Sequence, residues 1–179
     1  WMAENLKVTK YRNGDNITHI TVNSNWSGNT DGAYGYYLNS TANRDTYGML
    51  YNWYVVDNST SRYICPQGWH VPTNSEFSVL STFLGSNPAA KLKETGTTHW
   101  LSESTGTSNS SGFTALPAGN RGAYNGSYAS LSSYTYFWTL NYSSTNGTFR
   151  ILAYNSSGTF TYSSASKKYG FSIRCLEDN

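Results

Sequence analysis

The stretch Val71-Pro72-Thr73-Asn74-Ser75-Glu76-Phe77-Ser78-Val79-Leu80-Ser81-Thr82-Phe83-Leu84-Gly85 carries the clearest local signal in the chain. Thr73 and Glu76 stand three apart, the spacing of a capping box, in which each side chain satisfies a backbone donor at a helix start. Phe77, Leu80, Phe83 and Leu84 form one apolar stripe at helical spacing, and Gly85 supplies the stop. A short second helix is predicted beyond it, with Asn87 as cap and Pro88 at the first position.

Upstream, WMAENLKVTKYRNGD (1–15) reads as a strand and a second extended piece ending in the Asn13-Gly14-Asp15 turn. A chain beginning mid-strand at Trp1 is expected to be an excised fragment. Residues 23–46, rich in Gly, Asn and Tyr, read as a long loop. In Tyr47–Val56, Leu50, Trp53 and Tyr54 fit helical spacing, with a strand as the alternative. After Leu101 the helical signal ends. Short apolar runs at 113–116, 136–140, 148–154, 159–162 and 169–175, broken by Gly, Asn and Ser, read as strands and hairpins. Asn155-Ser156-Ser157-Gly158 is a turn between two of them. Without a repeat or linker, the 179 residues make one α+β domain.

Aromatic residues make up 16% of the chain and charged ones 12%, a balance opposite to that of disordered chains. The net charge of +2 is too mild to imply a nucleic-acid partner or insertion into a membrane. Between Glu103 and Glu177 there is no acidic residue, and the cations are Arg121, Arg150, Lys167, Lys168 and Arg174. An ordinary soluble surface is roughly a quarter to a third charged. This half of the molecule must instead expose Tyr, Asn, Ser, Thr and Gly.

Cys65 and Cys175 lack CxxC spacing and clustered His, so no metal site is expected. A single disulfide suits an exported protein; two buried free thiols are the alternative. No stretch approaches the ~20 apolar residues that span a bilayer.

Three segments together carry a family resemblance: YGMLYNWYVV (47–56), CPQGWHVPTNSEF (65–77) and YGFSIRC (169–175), with SGFTALPAGNR (111–121) between them. They resemble the Fibrobacter succinogenes major paralogous domain family over nearly the whole chain, a family of exported and phage-encoded proteins of gut bacteria. That family is in turn similar to the C-type lectin-like fold, in the branch shared with formylglycine-generating enzymes. Val71–Phe77 and Gly170–Cys175 are similar to the helix start and last strand of that branch. The resemblance implies two helices packed on small antiparallel sheets with long loops, in one domain over 1–179.

Formylglycine-generating enzymes use paired cysteines with copper. Here only Cys65 and Cys175 exist, and Cys175 lies in a structural motif, which argues against that activity. The Glu-Pro-Asn, Gln-Pro-Asp and Trp-Asn-Asp motifs of calcium-dependent lectins are missing from the sequence. The same fold carries the variable proteins of diversity-generating retroelements, whose adenine mutagenesis turns Asn codons into Tyr and Ser codons. The density of Asn, Tyr and Ser over 120–162 is what that process would leave, and compositional bias would leave it too.

For chemistry, Trp69-His70 reads as a packed histidine before the helix cap rather than a catalytic one. His19 and His99 have no paired carboxylate at a suggestive spacing, and no GxSxG elbow is present. The expected role is therefore non-catalytic and extracellular, on a cell surface or virion, with no cofactor. A protein or glycan on a cell surface would be held by a Tyr/Asn/Ser face of the kind antibody loops use. The candidate residues are Asn120, Tyr124, Asn125, Tyr128, Tyr134, Tyr136, Asn141, Tyr142, Asn146, Tyr154 and Asn155, about half of which should face inward in alternating strands. A carbohydrate-binding module or a structural adhesin or pilus-tip domain is the alternative. Trp138, Phe149, Phe160 and Phe171 are assigned to the core, and Arg121, Arg150 and Arg174 to bridging buried loop carbonyls.

Overall fold

The structure, a computed structural model, describes residues 1–59 and 61–178. It is α+β, with short elements threaded around a curled sheet. In chain order these are β1 (Thr18–His19), α1 (Asn23–Gly28), β2 (Ala33–Gly35), a 3-10 turn (Tyr37–Asn39), α2 (Thr41–Tyr47), β3 (Leu50–Tyr51) and a second 3-10 turn (Trp53–Val55). Then come β4 (Trp69–His70), α3 (Asn74–Leu84), α4 (Pro88–Leu92), β5 (Ala118–Arg121), β6 (Tyr128–Leu131), β7 (Tyr134–Tyr142), β8 (Asn146–Ala153), β9 (Thr161–Ser166) and β10 (Leu176–Glu177). The main sheet has the order β6-β5-β7-β8-β9, beside a sheet β1-β2-β3 and a pair β10-β4.

Several expectations about layout are corrected. Four α-helices form among the described residues, not two, and the sheets are mixed, since β1–β2 and β5–β7 pair parallel. The supposed loop over 23–46 contains α1, β2 and α2. The opening residues form no strand. They run extended along the C-terminal segment, with Met2 N–H donating to Cys175 C=O (3.1 Å) and Leu6 N–H to Ile173 C=O (2.9 Å). Only the turn before Asn16 forms a bridge, Lys10 with Asn16. Residues 113–116 and 169–175 make isolated bridges rather than strands.

The helix α3 starts as its sequence dictates. The Glu76 N–H donates to Thr73 Oγ1 (3.3 Å), and the Thr73 N–H donates to Glu76 Oε2 (2.7 Å). Gly85 closes the helix at φ 68°, a left-handed conformation that glycine tolerates. Phe77 and Leu84 pack on the sheet with Phe137, Leu152 and Phe160. Phe83, expected in that stripe, is 85% exposed. At about 100° per residue it lies roughly 120° around the helix from Phe77, beyond the contact line.

The opposite side of the sheet builds the larger core, where Trp138, Phe149 and Phe171 meet Tyr51, Trp53 and the Cys65–Cys175 disulfide. All four aromatic residues assigned to the core are buried. The three arginines act as read: Arg174 donates to Asn5 Oδ1 and Phe113 C=O, Arg121 to the carbonyls of Ile20 and Gly126, and Arg150 to those of Phe160 and Asn74.

Candidate binding face

Alternation along β7 sends Phe137 toward α3 and Tyr134, Tyr136 and Trp138 to the other face. Trp138 is roofed over by the large core, whereas Tyr136 packs on its margin and Tyr134 lies beyond it, both only half-buried. There the rings form a row. Tyr134 stacks beside Tyr136 (centroids 6.0 Å, planes 25° apart), and Tyr136 stacks on Phe171 (4.7 Å, 16°). Tyr169 stacks on Phe171 from the other end (5.4 Å, 22°), and the exposed Tyr124 meets Tyr169 edge-on (6.3 Å).

Asn120 of β5 and Ala165 of β9 flank this row, and together with Tyr136, Phe149, Tyr169 and Phe171 they line a shallow depression of about 300 Å3. No charged side chain lines it. Burial raises the pKa of the Tyr136 phenol, with a hydrogen bond to Ser130 pulling the other way, so this hydroxyl stays protonated in ordinary buffers. The face can offer aromatic area, phenol hydroxyls and one amide, and nothing that titrates near neutrality.

The candidate residues do not form one continuous surface. Asn120, Tyr134 and Tyr136 come together, joined through Tyr169 by Tyr124; Asn125 stays in the exposed β5–β6 loop, where its Oδ1 accepts from the Ser127 N–H. Asn120 is only 9% exposed, so it can offer little more than its edge. Tyr128 pairs across from Arg121 rather than Asn120, lies under the guanidinium (4.9 Å) and donates to Asn39 Oδ1 (2.9 Å). Asn141, Tyr142 and Asn146 sit at the far end of β7, roughly 26 Å from Tyr134 at the usual rise per residue. There Tyr142 packs on Trp53 (4.7 Å) and the Lys167 ammonium lies against both rings. Tyr154 and Asn155 belong to the β8–β9 turn, where Tyr154 packs toward α3. Tyr169 was missed because it stands inside the YGFSIRC motif, which reads as a fold signature; its spacing of two from Phe171 was the usable signal.

His70 and His99 are held by carboxylates, whereas His19 stacks on Tyr34 and Tyr36. His70 lies between Glu76 (2.9 Å from Nε2) and Asp178 (2.6 Å from Nδ1). His99 pairs with Glu94 at 2.8 Å, a partner five residues back whose spacing did not suggest a pair. Burial disfavours charge on His70, but the hydrogen bonds and charges of Asp178 and Glu76 outweigh it and raise its pKa. The stability this contributes is therefore complete below the unfolded value near 6.5 and fades as pH rises through the higher folded value. His70→Gln is expected to lose about 0.5–1 kcal/mol at pH 5.5 and less at pH 8, a small effect because the group is one-third exposed. Urea unfolding of both proteins at the two pH values measures it, and an equal loss at both would contradict the pairing.

A mixed α+β domain, stapled by a buried disulfide and opening an uncharged aromatic row to solvent, is the class these features define. The chain belongs to the Fibrobacter succinogenes major domain family, whose sequence profile matches residues 1–177. No curated protein and no solved structure matches it. The disulfide points to an oxidising, extracellular setting. Among the described residues no helix is long and apolar enough to cross a membrane.

Proposed function

We propose that this domain is a non-catalytic recognition module of an exported protein, built on a C-type lectin-like fold, which holds a cell-surface partner on the Tyr134–Tyr136–Phe171–Tyr169 face. The observation that carries the reading is the stacked row itself. Rings from β7 and the C-terminal segment meet at one uncharged depression lined by Tyr136, Tyr169 and Phe171, with Tyr134 stacked on at the end of the row, outside the core. Tyrosine supplies large area and a hydroxyl while freezing only two side-chain torsions, which is why it dominates binding hot spots. Because Tyr134, Tyr136, Phe171 and Tyr169 stack on one another, much of their flat area is taken up within the row. That favours a protein partner, met by hydrogen bonds and ring edges, on a cell or virion surface. Diversification by a retroelement would act on the same residues, since Asn120, Tyr134 and Tyr136 fall in the Asn/Tyr/Ser-dense stretch.

Tyr134→Ala combined with Tyr136→Ala is expected to weaken partner binding by about 2–4 kcal/mol, the range of paired hot-spot residues. Surface plasmon resonance against cells' extracted surface proteins would read the loss, and cooperative melting would show the fold intact. Unchanged binding removes this face from the proposal.

A glycan reading has its own support at the far end of the sheet. There Asp57, Asn58, Thr73, Asn141 and Tyr142 surround a depression of about 370 Å3, a donor and acceptor set suited to sugar hydroxyls. A glycan array probed with and without chelator separates the two, since binding abolished by Asn141→Ala but not by the Tyr134/Tyr136 pair would favour the sugar.

A further inference from the structure

The two edges of the main sheet are treated differently. The β6 edge is short, is kinked by Ser130 and Ser132 at φ 65° and 63°, and is covered by the 3-10 turn, whose Tyr37 ring packs on Tyr128 at 5.3 Å. Such kinks and covers are how native sheets keep a strand edge from pairing. The β9 edge has none of these devices. Thr161, Tyr162, Ser163 and Ser164 are all exposed, and β9 pairs in unbroken register with β8 from Asn146↔Ser166 to Ile151↔Thr161. Its sequence, TYSSAS, holds no charge and no proline, and every side chain except Tyr162 is small. Half of its backbone N–H and C=O groups necessarily point away from β8.

We propose that β9 is a self-association edge, at which a second copy of this chain adds its own β9 antiparallel and extends the sheet through a two-fold axis. The chemistry that recognises a bare strand edge is another extended backbone, and this strand is complementary to itself. A two-fold axis perpendicular to the sheet requires one residue to face its own copy. Centring on Ser163 sets Tyr162 of one copy against Ser164 of the other, and Thr161 against Ala165. The nearest cations then avoid each other, because Lys167 falls opposite Thr159 rather than opposite a lysine. The axis keeps equivalent faces on one side. The two aromatic depressions, each bordered by Ala165 of β9, would therefore look the same way and could engage a surface bivalently, raising avidity without any new contact.

The test is sedimentation velocity and light scattering of the intact chain over a concentration series. A contact this small predicts a weak, concentration-dependent dimer rather than a permanent one. Ser163→Lys puts like charges face to face on the axis and is expected to raise the dimer Kd about five-fold or more. Thr159→Glu, set opposite Lys167 of the other copy, is expected to lower it about three-fold at low salt, as Lys167 turns from Trp53 and Tyr142 to form two symmetric ion pairs. Both positions are exposed, and cooperative melting of each variant shows that the monomer still folds. A wild-type chain that stays monomeric to about 1 mM overturns the proposal, leaving the edge to a strand of another protein. A dimer indifferent to both substitutions overturns it too, because the interface then lies elsewhere.

Discussion

Replacing Cys65 and Cys175 together by Ala is expected to lower the unfolding free energy by about 4–5 kcal/mol, a large share of the roughly 5–15 kcal/mol by which a folded domain is stable. The bond spans 110 residues, and a loop of that length loses much conformational entropy in the unfolded chain when closed. Its placement adds to the effect. Cys65 precedes β4 and α3, while Cys175 ends the segment along which Met2 and Leu6 are hydrogen-bonded. The bond therefore ties the chain's opening, its helix start and its last strand into one core. Both cysteines are buried, and Ala at each position adds a small cavity without orphaning a polar group. Urea unfolding followed by tryptophan fluorescence measures the loss. Reductant present during unfolding should move the wild-type midpoint onto that of the variant. A loss below about 1 kcal/mol would mean that the unfolded chain is already held compact by other means.

What could be read in advance depended on how much order each element carries locally. Thr73, Glu76 and Gly85 specify α3 through contacts within a few residues of one another, so its bounds were legible. β7 and β8 were legible because Trp138, Phe149 and their neighbours must leave water. By contrast β1, β2 and β3 span two or three residues each, too short for any period to show. β5, Ala-Gly-Asn-Arg, has no apolar alternation at all, because all four residues are buried and two of them, Asn120 and Arg121, are polar. The opening residues owe their path to Ile173 and Cys175, partners more than 160 residues away, which no local pattern encodes. The aromatic row was foreshadowed by composition but not by place. Tyr134, Tyr136 and Tyr142 share one strand face by parity, and only the roof of Trp53 and Phe171 over its middle divides that face into two ends.

Lys93→Met is expected to cost about 3 kcal/mol at pH 7, although it removes a charge from the interior. Lys93 follows α4, is 2% exposed, and its ammonium touches Ser104 Oγ (2.6 Å) and the carbonyls of Ala153 (3.0 Å), Tyr154 (3.2 Å) and Ser156 (2.7 Å). One cation thus gathers the β8–β9 turn onto the helix, and methionine would remove its hydrogen bonds to all four oxygens, leaving weaker partners to Ala153 and Ser156. Burial pulls the Lys93 pKa down to about 8, against a weak opposing pull from Glu103. Between that value and the ~10.4 of an exposed lysine, the unfolded chain holds a proton that the folded chain has released. Unfolding then takes up a proton, so wild-type stability rises with pH in that window by up to about 1.4 kcal/mol per unit. Lys93→Met lacks this slope. The gap between the two proteins should therefore be constant below pH 7 and widen from pH 8 to about 9.5, before tyrosine ionisation intervenes. Urea unfolding across that range decides the matter. A gap that narrows on the alkaline side would show that the four oxygens hold the ammonium more strongly than burial expels it, and that the turn is fastened by the charge itself.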